Sequence, residues 1–257
     1  MIKKANNLTT ENYFIAYFDI LGYKEKMKTN SKEMLEKICK MIDLANEIIS
    51  RMGNVDVNIV KKIFSDNFFF CTKNDYYELI LFVSVLQALF IVFDFFVRGT
   101  LYYGELYIDE NFVYGQGLID AYEIESQTAI FPRIILDDSY FDAATVKIKN
   151  ESQYGEFVSI DETSKSLQRN LSNEYYIDFD DCKYLNYLSS TMRYKSYTEF
   201  QEHAKGLFDK ILINHQNNIR KNLKENVNNR KNLQKYTWCK NYHNKFCEEN
   251  ELLSYLI

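Results

Sequence analysis

Two aspartates stand where a carboxylate can do chemistry. Asp19 closes the apolar run Tyr13-Phe14-Ile15-Ala16-Tyr17-Phe18-Asp19-Ile20, and Asp66 sits in the Ser65-Asp66-Asn67 break between the apolar stretches 59–64 and 68–71. A carboxylate at the end of a buried strand and another in the tight turn of a neighbouring hairpin can converge on one point. Paired carboxylates are hard oxygen ligands, suited to holding Mg2+ or Mn2+ against a phosphorylated substrate. The other reactive side chains offer less. His203, His215 and His243 lack metal-ligand spacing, and the five cysteines form no C-x-x-C pair, so neither zinc nor a disulfide framework is supported. From residue 220 to 245 eight Lys and Arg residues face the single acid Glu225, although the whole chain carries −5. That local positive charge reads as a solvated helix face, or as a surface for phosphate or nucleic acid.

The elements that must position these groups follow from periodicity. The run ending at Asp19 reads as a buried strand. Residues 31–52 place Met34, Leu35, Ile38, Met41, Ile42, Ala45, Ile48, Ile49 and Met52 on one helical stripe. A hairpin around Asp66 comes next, then an apolar helix over 76–97 and a strand over 99–108. Strand, helix, hairpin, helix, strand is the split βαβ order of a ferredoxin-like palm. Further on, residues 112–114 read as a short strand, and Gly115-Gln116-Gly117 leads into a helix carrying Leu118, Ala121, Tyr122 and Glu125. Residues 130–136, 156–160 and 175–179 read as strands, and the chain from Ser196 onward as helical, with a break near Asn228-Asn229. The fold class expected is α+β: a ferredoxin-like palm over 1–160, then a mixed and finally helical extension over 161–257 packed on it.

Composition is that of an ordered protein, 46% hydrophobic and 16% aromatic over 257 residues. Residues 80–93 are almost wholly apolar but too short to cross a bilayer, so a buried or dimer-facing helix is expected there and no membrane association. The polar amino-terminal residues lack a signal-peptide core, and the cysteine pattern suits a reducing cytoplasm.

Three segments resemble class III nucleotidyl cyclases. Phe18-Asp19-Ile20-Leu21-Gly22-Tyr23 looks like their F-x-D-I-x-G-F stretch, and Lys62-Ile63-Phe64-Ser65-Asp66 like their K-x-x-G-D hairpin. The stretch from Arg98 to Glu105, followed by Tyr114-Gly115-Gln116-Gly117-Leu118-Ile119-Asp120-Ala121-Tyr122-Glu123, is similar to their strand ending in G-E and the Y-G-x-x-V-N-x-A-x-R that follows it. The resemblance covers the first half of the chain. It implies a homodimeric enzyme that converts a nucleoside triphosphate to a 3′,5′-cyclic nucleotide, a second messenger in bacterial signalling or phage defence, as in the antiphage pyrimidine cyclases. Two ions, Mg2+ or Mn2+, would bind Asp19, the Ile20 carbonyl and Asp66. Gly22, Tyr23, Lys62, Gly115, Ile119, Glu123 and Arg133 would face the substrate. Two positions depart from the pattern: the ribose-orienting Asn falls on Ile119, and the charge-stabilising Arg falls on Glu123. Those departures open two alternatives, a lapsed relative that binds a nucleotide as sensor or regulator, and a palm-like nucleic-acid-binding module.

Overall fold

A strand buried on both faces must be apolar throughout, and β1 (Glu11–Ile20) shows why the run from Tyr13 is unbroken. It lies between β3 (Asn67–Thr72) and β4 (Val97–Ile108), antiparallel to both. Its even-numbered side chains Phe14, Ala16, Phe18 and Ile20 enter the main core, and its odd-numbered Tyr13, Ile15 and Tyr17 a smaller core on the opposite face. The computed structural model describes residues 9–28, 31–53, 58–153, 171, 174–189, 192 and 201–257. The strand expected at 156–160 lies outside them.

After β1 come the short helix α1 (Tyr23–Met27) and the long α2 (Ser31–Gly53). The hairpin of β2 (Val60–Phe64) and β3 follows, then α3 (Tyr76–Val92) and β4. The strand order β2-β3-β1-β4 is that of a ferredoxin-like palm. On α2, Met34, Ile38, Met41, Ala45 and Ile48 are buried as the stripe requires, whereas Leu35 is exposed. The side chains of Ile49 and Met52 are outside the described set.

Beyond β4 the sheet continues. The short β5 (Val113–Tyr114) folds back on β4, and α4 (Gln116–Glu123) crosses the smaller core. Then β6 (Ile134–Leu136) pairs parallel with β4, and after α5 (Asp138–Gln153) the strands β7 (Tyr175–Ile177) and β8 (Lys183–Leu185) extend the same sheet. Two helices finish the chain, α6 (Gln201–Glu225) and α7 (Arg230–Glu249), the second capped by the Asn229 side chain, which accepts a hydrogen bond from the Asn232 backbone N–H at 3.2 Å.

These helices explain α3. Every residue of α3 from Tyr76 to Ile91 except Glu78 is buried, apolar all round, because α2 lies on one side and α6 on another. The apolar helix is therefore covered by its own chain rather than held open for a partner. α6 also ties down the end of α3: Asn218 Nδ2 donates to the Ile91 carbonyl at 2.6 Å, which also accepts from the Asp94 N–H at 3.0 Å, while Lys221 and Asn222 hold Asp94. His215 and His243, both buried, meet Nδ1 to Nδ1 at 2.7 Å where α6 and α7 cross. Among the described residues no helix is long and apolar enough to cross a membrane.

The β2–β3 turn carries strain. Ser65 adopts a left-handed backbone, φ 62°, where a Cβ costs energy and the resembling motif has glycine. Ser65→Gly is expected to raise unfolding free energy by about 0.5–1 kcal/mol. Urea denaturation checks this, and an unchanged or lower midpoint would contradict it.

Candidate functional site

Strand register builds the site. Asp19 is the Cα partner of Asn67 on β3 and of Arg98 on β4, and residues directly opposed across antiparallel strands point to one face. Gly99 allows this closeness: a Cβ there would lie 2.2 Å from the Tyr17 carbonyl. Arg98 grips Asp19 as a fork, Nε to Oδ1 at 3.1 Å and Nη2 to Oδ2 at 3.3 Å. Across Asp19, the Asp66 turn is pinned to the strand end, because the Ile20 N–H donates to the Asp66 carbonyl at 3.2 Å. Tyr17 donates its hydroxyl proton to Asn67 Oδ1 at 2.8 Å and braces the same turn.

A third acid completes the cluster, and sequence reasoning missed its role. α4 can press on β4 only because Gly104 and Gly117 meet backbone to backbone, where a Cβ on either would come within 3.0 Å of the other strand or helix. Ala121 then packs into the smaller core. After Glu123 the helix widens into a π turn, Ile124–Thr128, closed by the Ala129 N–H to Ile124 carbonyl bond at 3.0 Å. Such wide turns recur at functional sites. Glu125 lies in it with its side chain only 4% exposed, and Arg98 Nη2 stands 2.8 Å from Glu125 Oε1, close enough for ion pairing but off the line of a hydrogen bond.

The electrostatics follow from this crowding. Burial, then the neighbouring Asp19 charge, push the Glu125 carboxyl up to about 7 against the pull of Arg98. Burial also raises Asp19 above the ordinary carboxylate value; the Arg98 hydrogen bond and charge pull it down, and Asp66 adds to the rise. Tyr17 is raised to about 12 by burial and then by Glu125 and Asp19. From α7, Lys235 reaches the same field: burial and then Arg98 and Lys231 lower it, while Asp19 opposes them.

The remaining positions of interest are distributed around this centre. Ile119 and Glu123 lie on the exposed side of α4, two residues or more before the acid that meets Arg98. Lys62 Nζ donates to the Glu110 carbonyl at 2.9 Å in the turn after β4. Gly22 turns the chain with φ 72°, and Tyr23 packs against the main core. Gly115, φ 149°, lies where a Cβ would meet the Glu105 carbonyl at 2.4 Å, so it serves a close backbone approach. Arg133 is buried and its guanidinium is bound to Asp178 and Asp180. Asp120 accepts from Tyr102 at 3.0 Å and from Gln116 at 2.8 Å.

The donor chemistry at Asp19 and Asp66 is of the hard, oxygen-bearing kind that Mg2+ and Mn2+ prefer. In this arrangement, however, Arg98 occupies the place at Asp19 that an ion would take. Both Asp19 oxygens are engaged by Arg98, and among the described residues no group of three or more His, Cys, Asp or Glu side chains is placed to hold a metal. The arginine places one positive charge on Asp19.

No protein-family model matches the chain, and no curated protein matches it in sequence. Solved structures similar to it include the guanylyl cyclase domain of the RhoGC fusion protein from the aquatic fungus Blastocladiella emersonii, 16% identical, TM-score 0.40, with 54% of this chain and 86% of that one covered. A bacterial light-regulated adenylyl cyclase is 12% identical at TM-score 0.41, covering 53% and 81%. The adenylyl cyclase CyaB from P. aeruginosa is 13% identical at TM-score 0.38, covering 55% and 82%.

Glu125 makes stability depend on pH in a defined direction. Its folded value, about 7, lies above the ordinary 4.5, so between those values the folded chain binds more protons than the unfolded one. The contribution is fully present below the unfolded value and is lost as pH rises through 7. Relative to Glu125→Gln, the wild type is expected to lose about 2–3 kcal/mol between pH 4.5 and 8. Parallel denaturation curves for the two proteins that keep a constant separation across that range would contradict this.

Proposed function

We propose that the protein is a cyclase-like palm protein that binds a nucleotide and acts as a sensor or regulator, with Arg98 in place of a metal pair at its acidic centre. The observation that carries this reading is the Arg98 fork on both oxygens of Asp19. The exposed Ile119 and Glu123, at the positions where the resembling motif has Asn and Arg, support it further. In-line displacement at an α-phosphate needs positive charge near the leaving oxygens, and a carboxylate at 123 works against that. Lys235, close enough to feel Asp19, Arg98 and Lys231, sets a further cation beside the palm acids, where a bound phosphate could use it.

A second reading, a metal-dependent nucleotide cyclase that makes a cyclic second messenger, is favoured by Glu125. A carboxyl that ionises near pH 7 is matched to accepting a proton from a substrate hydroxyl. Mg2+ or Mn2+, if bound there, would neutralise triphosphate charge, and Asp19 and Asp66 would hold it.

Incubating the protein with each of the four ribonucleoside triphosphates and Mn2+, followed by mass spectrometry, separates the two. Binding without cyclic product or pyrophosphate is expected; accumulation of a cyclic nucleotide, lost in Asp66→Asn, would establish the second reading and overturn the first. The homodimer is proposed on the exposed Phe64, Phe112, Tyr114, Ile119 and Tyr122 of β2, β5 and α4 and the loops beside them. Sedimentation of the same sample reads it directly, and a monomer would remove it.

A further inference from the structure

An opening lies where α7 faces β7, β8 and the segment leading into β6, outside the palm's acidic cluster. It is a cavity of about 670 Å3, the size of a small-ligand site. One wall is aromatic and fixed. Trp238 lies parallel to Tyr242 (centroids 5.8 Å apart, 7° between planes) and to Phe131 (6.1 Å, 16°). Its indole N–H donates to Asp178 Oδ2 at 2.6 Å, which locks the ring. Asp178 is paired with the buried Arg133, which it shares with Asp180 and which also lies over the Phe131 ring. At the mouth, Ile130, Ile177 and Phe179 are exposed, Phe179 at 75%.

The rim is cationic. Arg230, Lys231, Lys235 and Lys245 all line the cavity, and no carboxylate among the described residues forms a salt bridge with any of them. By contrast, Lys221 is held by Asp94, and Arg220 Nη2 donates to the Leu256 carbonyl at 3.1 Å. Half of the basic residues between 220 and 245 thus converge on one partly open space rather than spreading along a track for a nucleic-acid strand. Lys235, which lines the cavity, also lies within the field of Asp19 and Arg98.

We infer that this cavity binds a nucleoside phosphate, with the base against the Phe131–Trp238–Phe179 wall and the phosphates on Lys231, Lys235 and Lys245. Lys245 lies over the Tyr176 ring at 4.0 Å and, like the other three, has no carboxylate partner among the described residues; aromatic faces and such cations around one space recognise a planar ring joined to an anion. The inference deepens the nucleotide-binding reading and rests on it for choosing a nucleotide among phosphorylated aromatics. It also places the ligand on this chain's own carboxy-terminal helix.

Trp238 is the only tryptophan, so the cavity reports on itself. Titration of the full chain with ATP and with CTP, without metal, should quench its fluorescence saturably. Phe179→Ala and the double variant Lys231→Ala/Lys245→Ala change exposed or half-exposed side chains and should keep the wild-type circular dichroism. The double variant is expected to weaken binding by about ten-fold or more, and Phe179→Ala by about three-fold or more, as loss of phosphate and stacking contacts predicts. Inorganic triphosphate should bind about ten-fold more weakly than the better nucleotide. No binding at millimolar nucleotide overturns the inference, as does equal affinity for inorganic triphosphate, which would mean an anion site without a base. Binding that both cavity variants keep but Asp66→Asn loses overturns the cavity and leaves the nucleotide reading standing at the palm.

Discussion

Buried carboxylates require a counter-charge, and in this chain the counter-charge is Arg98. Asp19 and Glu125 are brought together from a strand end and a π turn, and the guanidinium between them pairs with both. Removing one partner from such a buried arrangement typically costs about 3–5 kcal/mol, because the remaining charges are left unpaired. The local architecture serves that contact. Gly99 brings β4 onto β1, Gly104 and Gly117 bring α4 onto β4, and the widened turn places Glu125 on the guanidinium.

The same arrangement links fold to function. An arginine fork satisfies Asp19 with two directed hydrogen bonds, whereas a divalent ion would need its oxygens free and further ligands besides. The palm therefore keeps Asp19 at the strand end with both of its oxygens already paired from within. The carboxy-terminal half is more than an appendage. It extends the sheet beyond β4, covers α3, and carries Lys235 into the field of Asp19. A ligand held against α7 would meet the palm acids through that lysine.

Much of the fold can be read from the sequence, and the limits are physical. β1 and the turn at Ser65-Asp66 are legible because an unbroken aromatic and β-branched run, then a polar break, admit few alternatives. The strand–helix–hairpin–helix–strand order is legible for the same reason, as is the Asn228-Asn229 break between α6 and α7. Arg98 is visible as a cation, but its pairing with Asp19 depends on the register of β1 against β4, which periodicity does not fix. Glu125 is less legible still. In a regular helix it reads as one more surface carboxylate, and only the π turn buries it. The apolar α3 reads equally well as core or interface until α6 is seen to cover it, and β8 is too short, at three residues, to announce itself.

The central claim, that Arg98 does the work of a cation at the palm acids, is tested most directly by thermal melts of the wild type and Arg98→Met with and without Mn2+. Methionine keeps an unbranched stem and removes the charge. The wild type should shift by no more than about 1 °C on adding Mn2+, while Arg98→Met should melt lower without metal and recover much of the loss with it. A wild-type gain as large as that of the variant would show that the acids take a metal with Arg98 in place, and would contradict the account.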